Sequence, residues 1–214
     1  MVFDAKFNKI IIDESNTNVR LVVSKWLEDD LTYLASNIHT EFAFYLEKYE
    51  VKEYKGTTFF IIPHQEIIIP KQKASTAEVE ILENLPYPIN GHKHPEGVNT
   101  FSGTDLEYIT NNADISLLVT KSGIQDATIR IIQNLKVLGD TMILIRMRNI
   151  LRVFDEPKDF NLDEKVKEIK EKLQVPTPPT VQPYQYYDFY QRYYGLDDLD
   201  DITTSKKKSK KSSK

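Results

Sequence analysis

The stretch that decides how this chain is read is GHKHPEGVNTFSGTDLEYI, residues 91–109. Its polar skeleton is His92-x-His94, a gap of seven residues, then Ser102-x-x-Asp105. On a strand, positions i and i+2 share a face and stand about 7 Å apart. His92 and His94 therefore aim two imidazoles at one point. Pro95 ends that strand, and Ser102 sits at the mouth of a helix expected over 102–111. Asp105, one turn inside, then faces the same point. Two neutral imidazoles and a carboxylate suit zinc at ~2.0–2.2 Å, and three protein ligands leave the fourth tetrahedral position open, as catalytic sites do. Ser102 and Asp105 also fit a plainer pattern, the two halves of a helix capping box.

The rest of the composition narrows the choice. The chain has 214 residues, 40% hydrophobic and 28% charged, with no cysteine and four histidines. That length suits one to two globular domains. The missing cysteine excludes disulfides, thiolate zinc sites, iron–sulfur clusters and a cysteine nucleophile. Any metal must be held by His, Asp or Glu. No apolar run approaches the ~18–20 residues of a membrane span, and the charged stretch Met1 to Lys9 does not read as a signal peptide. The expectation is a cytoplasmic protein with no membrane partner. The net charge of −4 hides an asymmetry. SKKKSKKSSK, residues 205–214, holds six lysines and no acid; the remaining 22 basic and 32 acidic residues give residues 1–204 a charge of −10. An acidic body is a poor nucleic-acid-binding domain, although the lysine tail can touch polyanions.

Working outward, Val19 to Val23 reads as a strand, and Ser24 as the N-cap of a helix carrying Trp26, Leu27, Leu31, Leu34 and Ile38 at helical spacing. Glu28, Asp29 and Asp30 fall in its first turns, where the helix dipole favours acids. Phe42 to Leu46, Thr57 to Ile62 and Glu66 to Ile69 read as strands, with His64 and Glu66 in a turn. Thr76 to Leu82 fits either a short helix or a strand. Ile115 to Thr120, Ala127 to Gln133 and Met142 to Val153 read as three strands, and Leu162 to Leu173 as an amphipathic helix. The order implies a mixed α/β body over 1–173. A Pro-rich linker (174–183), a Tyr-rich and acidic arm (184–204) and the lysine tail (205–214) follow. The arm's tyrosines fit a packed helix or a segment that docks a protein partner.

His92-x-His94-Pro95, seven residues, Ser102-x-x-Asp105, with Phe101 and Gly103-Thr104 around it, resembles the JAMM motif of the JAMM/MPN-plus zinc metallopeptidases. The resemblance covers residues 19–120 in element order, with 121–153 as closing strands. It implies a JAMM/MPN-like, cytidine-deaminase-like fold: a central β-sheet flanked by helices, with a flexible C-terminal arm. It implies a Zn2+ site on His92, His94 and Asp105, Glu41 as general base and acid, and Ser102 as a hydrogen-bond donor to the oxyanion. The family's glutamate follows an N-terminal helix and opens a strand, and Glu41 has that place here; Glu47, Glu50, Glu53 and Glu66 are its rivals. Between the histidines the family usually has Ser or Thr, and this chain has Lys93. Lys93 is expected to point away from the metal, toward solvent or substrate. The activity implied is cleavage of a peptide or isopeptide bond, with a protein or peptide substrate, often a ubiquitin-like conjugate whose tail lies along a strand edge. The alternative is a non-catalytic scaffold that acts through its arm. A zinc deaminase fits less well, since that chemistry usually employs cysteine ligands.

Overall fold

A computed structural model describes residues 2–4, 9–75, 78–83, 85–106, 113–135 and 139–174. The chain divides into two units, Met1–Pro176 and Thr177–Lys214, and the described residues belong to the first. The linker beyond Gln174, the tyrosine arm and the lysine tail lie outside the described residues.

The strands are β1 (Val2–Asp4), β2 (Lys9–Asp13), β3 (Val19–Ser24), β4 (Ala43–Leu46), β5 (Glu50–Tyr54), β6 (Thr57–Ile62), β7 (Gln72–Ala74), β8 (Val79–Ile81), β9 (Ile89–Lys93), β10 (Ile115–Thr120), β11 (Gly123–Leu135), β12 (Gly139–Met147), β13 (Leu151–Val153) and β14 (Leu173–Gln174). The helices are α1 (Lys25–Asn37) and α2 (Leu162–Lys172), and residues 103–106 are also helical. The architecture is mixed α/β. A seven-stranded sheet runs β1-β2-β12-β11-β10-β9-β4, a second runs β13-β3-β6-β5, and a third runs β14-β7-β8. The large sheet is mixed: β9 pairs parallel with β10 and antiparallel with β4. None of the described helices is long and apolar enough to cross a membrane.

Helix α1 starts where Ser24 caps it, the serine oxygen accepting from the Leu27 N–H. It buries Leu27, Leu31 and Leu34 completely, each worth about 1.5–3 kcal/mol. They join Leu117, Val119, Ala127 and Ile129 in one core, so α1 covers one face of the large sheet. Glu28 does not serve only as a first-turn acid. It is buried, takes Arg152 Nη2 at 2.9 Å and accepts from the Ile124 N–H at 3.2 Å. One carboxylate thereby ties α1 to β11 and β13.

Strand β4 is an end strand of the large sheet, and side chains help to finish its edge. Gln72 Oε1 accepts from the Ala43 N–H at 2.6 Å, and its Nε2 donates to the Ala43 carbonyl at 3.2 Å. Gln65 makes the same pair of bonds to Lys48, at 2.9 and 2.7 Å. Two amides imitate a neighbouring strand. This explains why Glu66 to Ile69 is not the strand its apolar run predicts: only Ile68 bridges to Tyr45. The expected strand Met142 to Val153 also splits, into β12 and β13 in different sheets. Glu14 Oε1 accepts from the Asn149 N–H at 2.9 Å, in the turn between them. Strands β5 and β7 have no counterpart in the sequence reading. All five residues of β5 are exposed, so it carries no alternation of burial to find. The undecided 76–82 segment contains strand β8; of the helix expected over 102–111, residues 102–106 fall among the described residues, and 103–106 are helical.

Candidate metal centre

The two faces of β9 do different work. Ile89 and Gly91 turn toward the α1 side, where Gly91 lies under the Phe44 ring; a Cβ there would stand 2.2 Å from Phe44 Cζ. Only a glycine lets the two strands approach so closely. Asn90, His92 and His94 take the other face. Their place is fixed by the register Ala43↔His92 with β4 and Leu118↔His92 with β10. Beyond the strand, the His94 N–H donates to the Val119 carbonyl at 2.9 Å and holds the second histidine in line.

Phe101 brings the aspartate in. Its buried ring packs with Leu118 and Leu144 on the outer face of the large sheet, 5.9 Å from the His92 ring. The next residues form a reciprocal cap: Ser102 N–H donates to Asp105 Oδ2 at 2.7 Å, and Asp105 N–H donates to Ser102 Oγ at 3.1 Å. The capping-box pattern seen in the sequence therefore exists. It coexists with the second role, because the same carboxylate reaches both histidines. Asp105 Oδ1 is 3.3 Å from His92 Nε2, and Oδ2 is 3.3 Å from His94 Nε2. The two Nε2 atoms are 2.8 Å apart.

These residues can hold a metal ion. Atoms about 2.0–2.1 Å from a shared tetrahedral ion stand about 3.3–3.4 Å from one another; each histidine lies at that distance from one Asp105 oxygen, His92 from Oδ1 and His94 from Oδ2. The nitrogen–nitrogen edge is shorter. The electrostatics agree with a cation site. Burial opposes charge on Asp105, but hydrogen bonds from His92 and His94 overcome it and hold the carboxyl far below the usual range. For His94, burial pushes the imidazole down, and the hydrogen bond and charge of Asp105, with the charge of Glu41, raise it above its ordinary value.

Glu41 lies on the same side of the sheet, two residues before Ala43. Its N–H donates to the Ser75 carbonyl at 2.9 Å. It is buried, and it lines a cavity of about 440 Å³ with His94, Ser102 and Asp105. Burial raises its pKa, against the pull of His92 and His94. The rival glutamates stand elsewhere. Glu47 is exposed, Glu50 and Glu53 are exposed on β5, and Glu66 pairs with Lys165 at 3.2 Å in a different cavity. His64 is taken up by structure: Nε2 meets Asp30 at 2.9 Å, and Nδ1 accepts from the Lys158 N–H at 2.8 Å.

Lys93 corrects an expectation. It points away from Asp105, as alternation requires, but reaches neither solvent nor substrate. It is 4% exposed. Its Nζ donates to the carbonyls of Ile38, Thr40 and His39 at the end of α1, at 2.6, 3.0 and 3.4 Å. The loop it gathers leads directly into Glu41. Burial pushes the lysine pKa down, nearby Lys121 adds to that, and Glu41 opposes it.

Sequence reasoning missed the other wall. Glu78 and Val79, at the start of β8, line the large cavity and also a second one of about 290 Å³ that continues past Asp105 to Ala43, Asn90 and Ser116. The 76–82 segment carries no chemical motif, so nothing in its residues marked it. No family model matches the chain, and no curated protein matches it.

Proposed function

We propose that the chain is a zinc metallopeptidase of JAMM/MPN-plus type, with a JAMM/MPN-like fold, hydrolysing a peptide or isopeptide bond. The observation that carries this reading is one juxtaposition. Two imidazole nitrogens and a carboxylate converge within 3.3 Å of one another, and Glu41 and Ser102 line the cavity beside them.

His92, His94 and Asp105 would hold the ion. When bound, zinc supplies Lewis acidity, polarising the scissile carbonyl and bringing the pKa of water toward about 7. The Glu41 carboxylate takes a proton from the attacking water and returns it to the leaving amine nitrogen, work worth about 10²–10⁴-fold. Its buried setting favours a group that can hold the proton between those steps. Ser102 Oγ accepts from the Asp105 N–H, which leaves its own proton to donate toward the carbonyl oxygen as charge builds there. Strand β8 is the outer strand of its sheet. An extended substrate tail, such as that of a ubiquitin-like protein, adds to that edge by main-chain pairing.

The test is metal analysis combined with cleavage of ubiquitin-like conjugates and peptides, with and without a chelator. One zinc per chain and chelator-sensitive cleavage are expected. Glu41→Gln keeps zinc and loses at least about 10²-fold in rate. No bound zinc and no cleavage would leave the scaffold reading in its place. Full activity in Glu41→Gln would move the base to exposed Glu78, which lines the same cavity.

A further inference from the structure

Two cavities flank Asp105. The one of about 440 Å³ holds Glu41 and Ser102, and the one of about 290 Å³ lies against His92; Thr104 and Asp105 line both. In the peptidase reading Glu41 returns a proton to the leaving nitrogen, so the amine half of the substrate lies in the first cavity. The second is left for the half that supplies the scissile carbonyl.

The walls of this second cavity are largely apolar. On β4, Ala43 stands opposite His92 in the register and takes its face, while Phe42 and Phe44 turn into the core. The neighbour of the histidine is therefore a single methyl group, which leaves room above the sheet. Across the cavity, Val79 and Ile81 share one face of β8, are half-buried, and both line it. Asn90 and Ser116 also line it, but at 3% and 1% exposure they offer it almost no polar surface. Glu78 and Glu80 border it too, yet alternate to the other face of β8, where Glu80 meets Lys73 at 3.6 Å.

The backbone of β8 can hold a peptide beside these side chains. The Ser75 N–H donates to the Glu78 carbonyl at 2.8 Å, and the Leu82 N–H to the Lys71 carbonyl at 2.9 Å. With Lys73 opposite Glu80, residues 78, 80 and 82 bond toward β7. Val79 and Ile81 then turn their N–H and C=O groups to the outer edge. A peptide paired there carries alternate side chains on the face of Val79 and Ile81, the face that lines the cavity. Glycine would leave that volume to water against methyl groups. An acidic side chain would meet the charges of Glu78, Glu80 and Asp105. A branched aliphatic side chain displaces the water, and in an apolar pocket one methylene is worth about tenfold or more.

We propose that this cavity is a specificity pocket for an aliphatic side chain, leucine or isoleucine, on the residue that supplies the scissile carbonyl. Its place in the reaction rests on the peptidase reading; the binding itself does not. The experiment titrates the full chain, 13C-labelled at its methyl groups, with the N-acetyl N-methylamides of leucine, glycine, glutamate and lysine, observed by NMR. The leucine probe is expected to shift the methyls of Ala43, Val79 and Ile81 and to bind at least about tenfold tighter than the other three. Ile81→Asn, a change at a half-buried position, abolishes that preference; should the variant fail to fold, the ranking and the shifted methyls of the native chain decide alone. Equal binding of the leucine and glycine probes, or methyls at 43, 79 and 81 that stay unmoved, overturns the proposal. So does tighter binding of the lysine probe, which would move recognition to the acidic rim. A second arm gives the zinc-loaded chain peptides that differ only in leucine or glycine before the scissile bond. Cleavage after glycine as fast as after leucine retains the peptidase and overturns the pocket's assignment. A chain that ranks the probes as expected and cuts neither peptide retains the pocket and loses the peptidase.

Discussion

Lys93 Nζ donates to the Ile38 carbonyl at 2.6 Å, from the position between the two candidate metal ligands of β9. A strand residue is thus the C-terminal cap of a helix, where a cation is favoured by the helix dipole and satisfies carbonyls the helix leaves open. The same ammonium holds the loop that precedes Glu41. The two halves of the candidate site, Glu41 on one side and the histidines on the other, are pinned by a residue that belongs to neither chemical role.

Replacing Lys93 by methionine keeps the stem and strips the three carbonyls of their donor. A loss of about 2–3 kcal/mol is expected, read as a fall in Tm of about 5–10 °C for a chain of this size. Because the side chain points away from Asp105, the metal content should not change. An unaltered Tm would show that the cap is dispensable.

Asp105 carries two duties that substitutions can separate. Asp105→Ala removes the ligand and the half of the cap that accepts from the Ser102 N–H, so it should lose metal and also about 0.5–1.5 kcal/mol of stability. Asp105→Asn retains an oxygen for the Ser102 N–H, so it should lose metal with little change in melting. If both variants melt alike, the Ser102–Asp105 cap contributes nothing.

Acid should act through Glu28. Burial works to raise its pKa, and the hydrogen bonds and charge of Arg152, with the Ile124 N–H, more than reverse it; the folded value is depressed. The stability it contributes is therefore present above the unfolded pKa of about 4.3 and is lost as pH falls through the lower folded value. Glu28→Gln should destabilise by about 1–3 kcal/mol at neutral pH. In urea melts the gap to the native chain should narrow by about pH 3. A gap of constant size at both pH values would assign the effect to packing instead.

Gly91→Ala tests the approach of β4 to β9. The added carbon would lie 2.2 Å from Phe44 Cζ, so the ring or the strands must shift, at a cost of about 1–3 kcal/mol. Phe44→Leu in the same chain should restore part of that loss by vacating the space. Since His92 is the next residue, metal affinity should fall with Gly91→Ala as well. A single variant as stable as the native chain would show that the ring moves freely.

Much of the frame was legible because local rules dominate it. Ser24 capping α1, the helical spacing of Leu27, Leu31 and Leu34, and the apolar runs of β3, β6 and β10 each state their structure within a few residues. Strand β5 and the 66–69 segment were not legible, because the partners that decide them lie elsewhere in the chain. Gln65 and Gln72 show why: a side-chain amide can replace a strand, and no periodicity records that.

For the site, the residues alone determined that His92 and His94 share a face and that Asp105 sits one turn into a helix. Those relations follow from the repeats of strand and helix. Only the tertiary structure decided that the aspartate meets both imidazoles at 3.3 Å, that Glu41 rather than Glu66 shares their cavity, and that Lys93 is buried against α1. Each of these depends on packing between segments tens of residues apart, Phe101 on Leu118 and Leu144 above all. The physical reason is that alternation along a strand sets which side a residue takes, while the neighbour it finds there is set by the element that the core draws against that side.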